Sequence, residues 1–174
     1  MASDTLVVRD VFIPLESYPH INENQSLYDA VQEIREFTTG EKNQIRYAEM
    51  FVVNNENKLV GKINLIDILH ALAPSLFAAD KVAKFEGKGT NFPNLAILLE
   101  DSFLKKCAEQ ATIAIKDFMS KIEDSVTADT PTLKTLMLML NAKKYSFPVV
   151  DGGEVIGVVR LEEIFLEICG HCKL

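Results

Sequence analysis

The stretch Lys58-Leu-Val-Gly-Lys-Ile-Asn-Leu-Ile-Asp-Ile-Leu69 has a second version later in the same chain, Glu154-Val-Ile-Gly-Val-Val-Arg-Leu-Glu-Glu-Ile-Phe165. Each version carries a glycine inside a β-branched run, then a polar residue, then an acid at the same spacing. A further apolar run precedes each version across a turn, Asn54-Asn-Glu-Asn57 or Asp151-Gly-Gly153, which is typical of a β-hairpin. Repetition of a whole strand–turn–strand–helix unit predicts two structural repeats.

Earlier parts of the two repeats are also alike. Val8-Arg-Asp-Val-Phe12 parallels Ile115-Lys-Asp-Phe-Met119, and Ser26-Leu27 parallels Thr132-Leu133 where a helix is expected to begin. Together these segments resemble the cystathionine-β-synthase (CBS) domain, which normally occurs as a tandem pair. That resemblance also includes Phe147-Pro-Val-Val-Asp151, which is similar to the second strand of the family.

The CBS signature is a glycine, two mostly apolar residues, Ser or Thr, two further residues and Asp. The first repeat matches it from Gly61 to Asp67 except at Asn64, and the second departs from it at Arg160 and Glu163. The resemblance implies a mixed α/β fold of two β-α-β-β-α repeats in a pseudo-twofold arrangement, with a helical insert between them. We expect repeat 1 at residues 1–77, the insert at 78–110 and repeat 2 at 111–174.

Composition narrows the class of protein. The chain has 174 residues and a net charge of −7, which argues against nucleic acid or an anionic membrane as the partner. It shows neither a signal peptide pattern nor an apolar run of the ~20 residues that span a bilayer. Three cysteines fit a reducing compartment better than a disulfide framework. We therefore expect a cytoplasmic protein.

The pattern along the chain predicts the individual elements. A first strand is expected at Tyr18–Ile21, a capped helix from Ser26, a polar loop over 41–47 and a helix over 64–77. A helix over 94–110 is expected within the insert, beginning near Pro93. In repeat 2 we expect a strand at 126–128 and helices from Thr132 and over 161–168.

The helix of repeat 2 contains Leu136-Met-Leu-Met-Leu140, which is apolar around its whole circumference. Such a helix is expected to be buried from two directions. CBS pairs commonly dimerise through these helices, so the pattern and the resemblance both favour a homodimer. The alternative is that the insert covers the second apolar face within one chain.

Asn64 and Asp67 follow a strand directly, at a helix start where free N–H groups and the positive end of the helix dipole favour polar ligands. The resemblance implies that Asp67 accepts the ribose diol of an adenosine-type ligand and that Asn64 lies near its phosphate or ribose. The alternative is that Asn64 is an N-cap and Asp67 a residue favoured by the dipole. Both roles can hold at once.

Arg160 is unusual at a helix N-cap, because its charge opposes the dipole. An anion is therefore expected nearby, either Glu162 or Glu163 or a ligand phosphate. Glu163 is one methylene longer than the Asp of the signature, so we expect the second site to be weaker, altered or empty.

The resemblance also implies an adenine cleft near the first strand of each repeat. By position, that carries over to His20, Ile21, Val126 and Thr127, with Ile63 and Val159 as walls. Lys143 and Lys144 can neutralise phosphate or simply suit the negative C-terminus of their helix, and the second role is favoured.

The tetrapeptide Cys169-Gly-His-Cys172 occurs as the redox motif of disulfide isomerases, which place it at a helix N-terminus. Here it follows a predicted helix, and a metal would have one ligand too few for a closed zinc site unless Cys107 or a second subunit contributes.

No Ser–His–acid set, nucleophile elbow or recognisable carboxylate pair is present in the sequence, so we predict a regulatory protein and not an enzyme. It would need no cofactor and would sense an adenine nucleotide or nucleoside such as AMP, ATP or S-adenosylmethionine for a separate partner protein. The alternatives are a ligand-free dimeric scaffold and a thiol or metal role of the terminal cysteines.

Overall fold

The computed structural model describes residues 6–39, 42, 44–74, 105 and 107–172. Its helices are α1 (Leu27–Glu36), α2 (Leu65–Leu72), α3 (Thr132–Ala142) and α4 (Leu161–Cys172). Its strands are β1 (Ile13–Pro14), β2 (His20–Asn22), β3 (Thr38–Thr39), β4 (Gln44–Ile45), β5 (Glu49–Val53), β6 (Leu59–Asn64), β7 (Val126–Thr127), β8 (Ser146–Asp151) and β9 (Glu154–Arg160).

The two repeats have the same sheet topology. In repeat 1, β2 pairs parallel with β5, which forms an antiparallel hairpin with β6. In repeat 2, β7, β8 and β9 are arranged in the same way, and β1 joins the outer edge of β9. The predicted mixed α/β fold of two repeats is therefore confirmed. Among the described residues, no helix is long and apolar enough to cross a membrane.

The segment that begins each repeat packs on the other repeat. Val8 is fully buried in the core of repeat 2, and its N–H donates to the Thr130 carbonyl at 2.9 Å. Ile115 is fully buried in the core of repeat 1, and Leu27 N–H donates to the Ile113 carbonyl at 2.8 Å. The sequence revealed that these segments are alike but not that they are exchanged. The boundaries at residues 77 and 111 stay a prediction.

The glycine of each signature lies where an exchanged segment crosses. A β-carbon on Gly61 would lie 2.7 Å from Met119 Sδ and 2.9 Å from the Ser120 carbonyl oxygen. A β-carbon on Gly157 would overlap the Ile13 carbonyl oxygen and the Phe12 ring. The strand can approach the crossing backbone only because glycine has no side chain.

The exchanged segments also show how the helices correspond. Ser26 bridges to Ala114 in one repeat, and Pro131 bridges to Val7 in the other. Pro131 is therefore equivalent to Ser26, and the expected match of Ser26 with Thr132 is wrong by one residue. Helix α3 does begin at Thr132, as predicted, but the Thr132 hydroxyl is buried and does not cap the helix.

Some predicted bounds differ from the observed ones. The first strand is His20–Asn22, not Tyr18–Ile21. Helix α2 ends at Leu72, not Phe77, because Ala73 precedes Pro74 and adopts φ −143° and ψ 63°, outside the helical region. Helix α4 continues beyond residue 168 to Cys172. Of the helix predicted over 94–110, residues 105 and 107–110 are helical, and the remainder lies outside the described residues.

A third apolar cluster lies between the two repeats. Its buried members are Tyr18, Tyr47, Phe51, Val53, Val155 and Val158. The expectation of a polar loop over 41–47 is wrong for its second half, because Gln44–Ile45 is strand β4, paired with β3, and Tyr47 is only 2% exposed. The repeats thus share a continuous interior, and the ring of Tyr47 is part of it.

Candidate functional site

Asn64 and Asp67 form a reciprocal capping box at the start of α2. Asn64 Oδ1 accepts from the N–H groups of Ile66 and Asp67 at 2.8 and 3.0 Å. Asp67 Oδ2 in turn accepts from Asn64 N–H at 3.0 Å. The capping role expected as the alternative is therefore present. A carboxylate has about four acceptor positions, so this single bond leaves Asp67 capacity to accept a ligand hydroxyl.

A cavity of about 320 Å³ lies between the repeats, close to this helix start. Its lining residues are Phe51, Lys62, Ser120, Lys121, Ile122, Glu123, Asp124, Lys144, Ser146, Phe147 and Pro148. Lys62 and Asn64 lie on the same face of β6, because side chains alternate along a strand. Asn64 therefore follows Lys62 on the face of the strand that lines the cavity, although neither Asn64 nor Asp67 is among the lining residues.

Both repeats contribute charged groups to the cavity. Lys62 Nζ lies 2.6 Å from Glu49 Oε2, and Lys144 Nζ lies 2.6 Å from Asp124 Oδ2. The hydrogen bond to Asp124 raises the pKa of Lys144 more than its small desolvation lowers it. Both lysines are therefore already paired with carboxylates of the protein. Lys143, by contrast, is the exposed C-cap of α3, with φ 53°.

The region beside Arg160 corresponds to this cavity when the two repeats are matched, and it is filled by protein side chains. Tyr47 stands two residues before Glu49, where repeat 2 has Lys144 two residues before Ser146. The Tyr47 ring packs against Tyr18, with ring centroids 4.8 Å apart, and the Arg160 guanidinium lies 4.9 Å from its centroid. The ring therefore occupies the position corresponding to the cavity's Lys144.

Arg160 has the anionic partner that its position requires. Its Nε donates to Glu163 Oε2 at 2.9 Å, its Nη2 donates to Glu163 Oε1, and Glu162 lies 3.7 Å from Nη1. Burial alone would lower the pKa of Arg160, but the hydrogen bonds and charge of Glu163 outweigh it and raise the pKa. The protein itself supplies this anion, which is the alternative expected in place of a ligand phosphate.

The remaining predicted residues are dispersed. Ile63 and Ile21 are buried in the core of repeat 1. His20 Nδ1 lies 2.9 Å from the Tyr18 carbonyl oxygen, and exposed Thr127 bonds to Thr130. Among the described residues that line the cavity, we find none of the eight predicted ligand contacts: Asp67, Asn64, Ile63, His20, Ile21, Thr127, Arg160 and Glu163. Their contact with a ligand stays a prediction.

Sequence reasoning missed Glu49, Lys62 and Ser146. Lys62 had a visible signal, because it is the charged residue in the middle of the apolar strand that follows Lys58. Glu49 and Ser146 had none, since each is an ordinary polar residue at the beginning of a strand.

The terminal cysteines lie in the last turn of α4, with Cys172 exposed and Cys169 partly exposed. This is the negative end of the helix dipole, which does not favour a thiolate. Within the described part of the chain, no group of three or more His, Cys, Asp or Glu residues has the arrangement of a metal site.

Comparison with known proteins agrees with these two repeats. A family model of the CBS domain matches residues 8–74 and 115–170. The structure of the CBS-pair protein CBSX2 from Arabidopsis thaliana is 17% identical, with a TM-score of 0.66 and coverage of 97% of both chains. No curated protein sequence matches.

Two further structures were solved with nucleotides. CBSX2 in complex with AMP is 20% identical, with a TM-score of 0.61 and coverage of 97% of this chain and 98% of that one. The CBS domain of a bacterial CNNM/CorC family Mg²⁺ transporter in complex with ATP is 18% identical, with a TM-score of 0.60 and coverage of 94% and 87%. At these identities the likeness concerns the fold.

Proposed function

This chain belongs to the CBS domain family, and from that premise we propose that it is a regulatory module that binds an adenine nucleotide or nucleoside in the cavity between its repeats. The observation that carries the proposal is the cavity itself. At about 320 Å³ it lies at the lower end of the range for small-molecule sites. It joins both repeats and is lined by three lysines, Lys62, Lys121 and Lys144, of which Lys62 lies two residues before Asn64, the N-cap of α2.

Structures of the same fold with AMP and ATP support this ligand class. Asp67 is the acceptor for the ribose hydroxyls in this proposal, with Asn64 beside it. The filled cleft at Arg160 favours one bound ligand per chain. AMP, ATP and S-adenosylmethionine are the candidate ligands, and the chain needs no cofactor beyond them.

Signalling follows from the position of the cavity. A ligand that contacts both repeats favours the arrangement in which both sets of contacts are made, which is a shift in population. In this proposal a separate protein detects that arrangement of the CBS repeats. A cytoplasmic location remains our expectation.

A homodimer is part of the proposal. Large apolar side chains are exposed on the outer helix faces and beside them: Tyr28, Ile66, Leu69, Leu133, Met137, Leu138, Leu140, Tyr145, Phe165 and Leu166. Open apolar grooves of about 510 and 570 Å³ lie between α1 and α2 and between α3 and α4. An apolar area of this extent is typical of a surface that another protein covers.

A thermal-shift experiment with AMP, ADP, ATP, S-adenosylmethionine and NADH tests ligand binding. A ligand at one hundred times its Kd stabilises the protein by about 2.7 kcal/mol, which is several degrees in Tm for a chain of this size. We expect the shift in wild type and its loss in Asp67→Ala.

Asp29→Ala is the matched control, because Asp29 completes the same kind of capping box in α1. Both substitutions remove a cap, so both lower the basal Tm, but only Asp67→Ala should abolish the ligand shift. A shift that survives in Asp67→Ala would move the site away from α2.

A ligand-free scaffold is the second candidate. The self-contained capping box of Asn64 and Asp67 and the Arg160–Glu163 pair favour it, since each polar signature group already has a protein partner. The absence of a shift with every ligand tested would support the scaffold. The thiol or metal role of Cys169 and Cys172 has no comparable support from the described geometry.

A further inference from the structure

A single carboxylate joins two residues that line the cavity. Lys62 Nζ lies 2.6 Å from Glu49 Oε2, and Ser146 Oγ donates to Glu49 Oε1 at 2.5 Å. Glu49 and Lys62 belong to repeat 1, whereas Ser146 belongs to repeat 2. The carboxylate of Glu49 therefore holds two of the cavity's hydrogen-bond donors from outside its lining.

Glu49 is held more firmly than the acid that pairs with Lys144. The side chains of Glu49 and Lys62 are 19% and 24% exposed, whereas that of Asp124 is 52% exposed. Asp124 can turn towards water when its lysine is taken by a ligand. Glu49 has less access to water, so the loss of its partners costs more.

The other side of Glu49 faces the third apolar cluster, which contains Tyr18, Tyr47 and Phe51. Burial raises the pKa of Tyr18, and the negative charge of Glu49 raises it further, whereas Arg160 lowers it. Phe51 lies on the same face of β5 as Glu49, and Phe51 and Tyr18 of that cluster are at most 1% exposed, so Glu49 is bounded on this side by protein interior. The side chain therefore has little room to move away from Lys62 and Ser146.

We propose that Glu49 determines the ligand specificity of the cavity, because it competes with the anionic group of a ligand for Lys62 and Ser146. This inference rests on the proposed binding of a nucleotide or nucleoside in the same cavity. A phosphate that reaches Lys62 must either share the ammonium group with Glu49, against the repulsion of that carboxylate, or displace the carboxylate and leave it partly buried without its cation. An uncharged nucleoside leaves the ion pair in place. The cavity therefore selects against phosphate at the Lys62 end.

Glu49→Gln separates charge from shape. The amide oxygen can still accept from Ser146, but the negative charge that holds Lys62 is gone. We expect the affinity for AMP to rise about three- to tenfold, the range that a partly screened ion pair supplies. The affinity for adenosine should change by less than about twofold, since adenosine does not compete for Lys62.

Isothermal titration calorimetry with AMP and with adenosine tests the proposal on wild type, Glu49→Gln and two further variants. Glu56→Gln is the matched control. Glu56 pairs with Lys58 at 2.7 Å on the exposed β5–β6 turn, so its substitution makes the same change in net charge away from the cavity. In the double variant Glu49→Gln/Lys62→Met, the gain for AMP should disappear. Melting curves establish that each variant is folded.

The role of Glu49 is supported if Glu49→Gln gains affinity for AMP but not for adenosine, and if the double variant loses that gain. An equal gain for both ligands, no gain, or a loss for AMP overturns it. If the wild type binds neither ligand but Glu49→Gln binds AMP, the role of Glu49 is supported and the proposed function fails. Absence of binding in every variant overturns both.

Discussion

Gly157 packs so closely against the Ile13 carbonyl oxygen that no β-carbon fits between the two residues. Ile13 belongs to the exchanged segment of the first repeat, and Gly157 lies in β9 of the second. The equivalent glycine, Gly61, faces Met119 and Ser120 in the same way. The glycine of each signature thus serves the contact between repeats, whatever its role near a ligand.

Gly157→Ala should destabilise the protein more than Gly61→Ala. At Gly157 the nearest obstacle is backbone, which cannot move without breaking the β1–β9 pairing, whereas the nearest atom at Gly61 belongs to the flexible Met119 side chain. We expect Gly157→Ala to cost about 2–4 kcal/mol, as for a severe core overlap, and Gly61→Ala to cost less. Urea unfolding of both variants measures the difference. Equal costs would contradict the assigned close contacts.

Val8→Ala should loosen the second repeat, although Val8 belongs to the first repeat in sequence. The side chain is fully buried among Phe147, Val149 and other core residues of repeat 2. Truncation of a buried valine should cost about 1–3 kcal/mol. Hydrogen exchange should quicken in β7–β9 before β5–β6. Ile115→Ala is the reciprocal variant and should quicken exchange first in repeat 1. Faster exchange in the wrong repeat would contradict the exchanged packing.

The capping box at Ser26 and Asp29 should contribute to the free energy of unfolding by an amount that depends on pH. Hydrogen bonds from Ser26 lower the pKa of Asp29 below its ordinary value. A lowered folded pKa means that the stabilisation is present above about pH 3.9 and is lost as pH falls through the folded pKa. Wild type should exceed Asp29→Asn by about 0.5–1 kcal/mol at pH 7 and by less near pH 3. Urea titrations at both values test this, and a constant difference would contradict it.

Leu166→Glu should convert the proposed homodimer to a monomer. Leu166 is 68% exposed on α4 and lies beside the apolar groove between α3 and α4. A buried glutamate at an interface would have to give up its hydration without a partner, which is costly. Sedimentation equilibrium measures the change in mass. Asn55→Glu, on the exposed β5–β6 turn, is the control and should leave the dimer intact. A wild-type monomer would contradict the dimer itself.

The fold was predictable because repetition is a property of the sequence. The parallels of Gly61 with Gly157 and of Val8 with Ile115 predicted two like units, and the helix starts at Ser26 and Thr132 were confirmed. The exchange of the first segments was not predictable, because like segments fit either repeat and only the three-dimensional path decides between them.

The candidate site was predictable in part. The capping roles of Asn64 and Asp67 and the Arg160–Glu163 pair follow from helix-terminus chemistry, which is local. The cavity depends on contacts across the repeats, such as Ser146 with Glu49, which are 97 residues apart in sequence. A pattern read within one repeat carries no information about such a contact. The burial of Tyr47 was not predictable for the same reason, since it depends on Tyr18 and Arg160.

The exchanged segments have a consequence for synthesis on the ribosome. The first repeat needs Ile115 to complete its core, so it cannot close while only its own residues have emerged. Val8, made early, must wait for strands β7 to β9 before it is covered. Neither repeat is then a unit of co-translational folding, although domains often fold in order of emergence. The nascent chain should remain open to chaperones until most of the second repeat has left the exit tunnel.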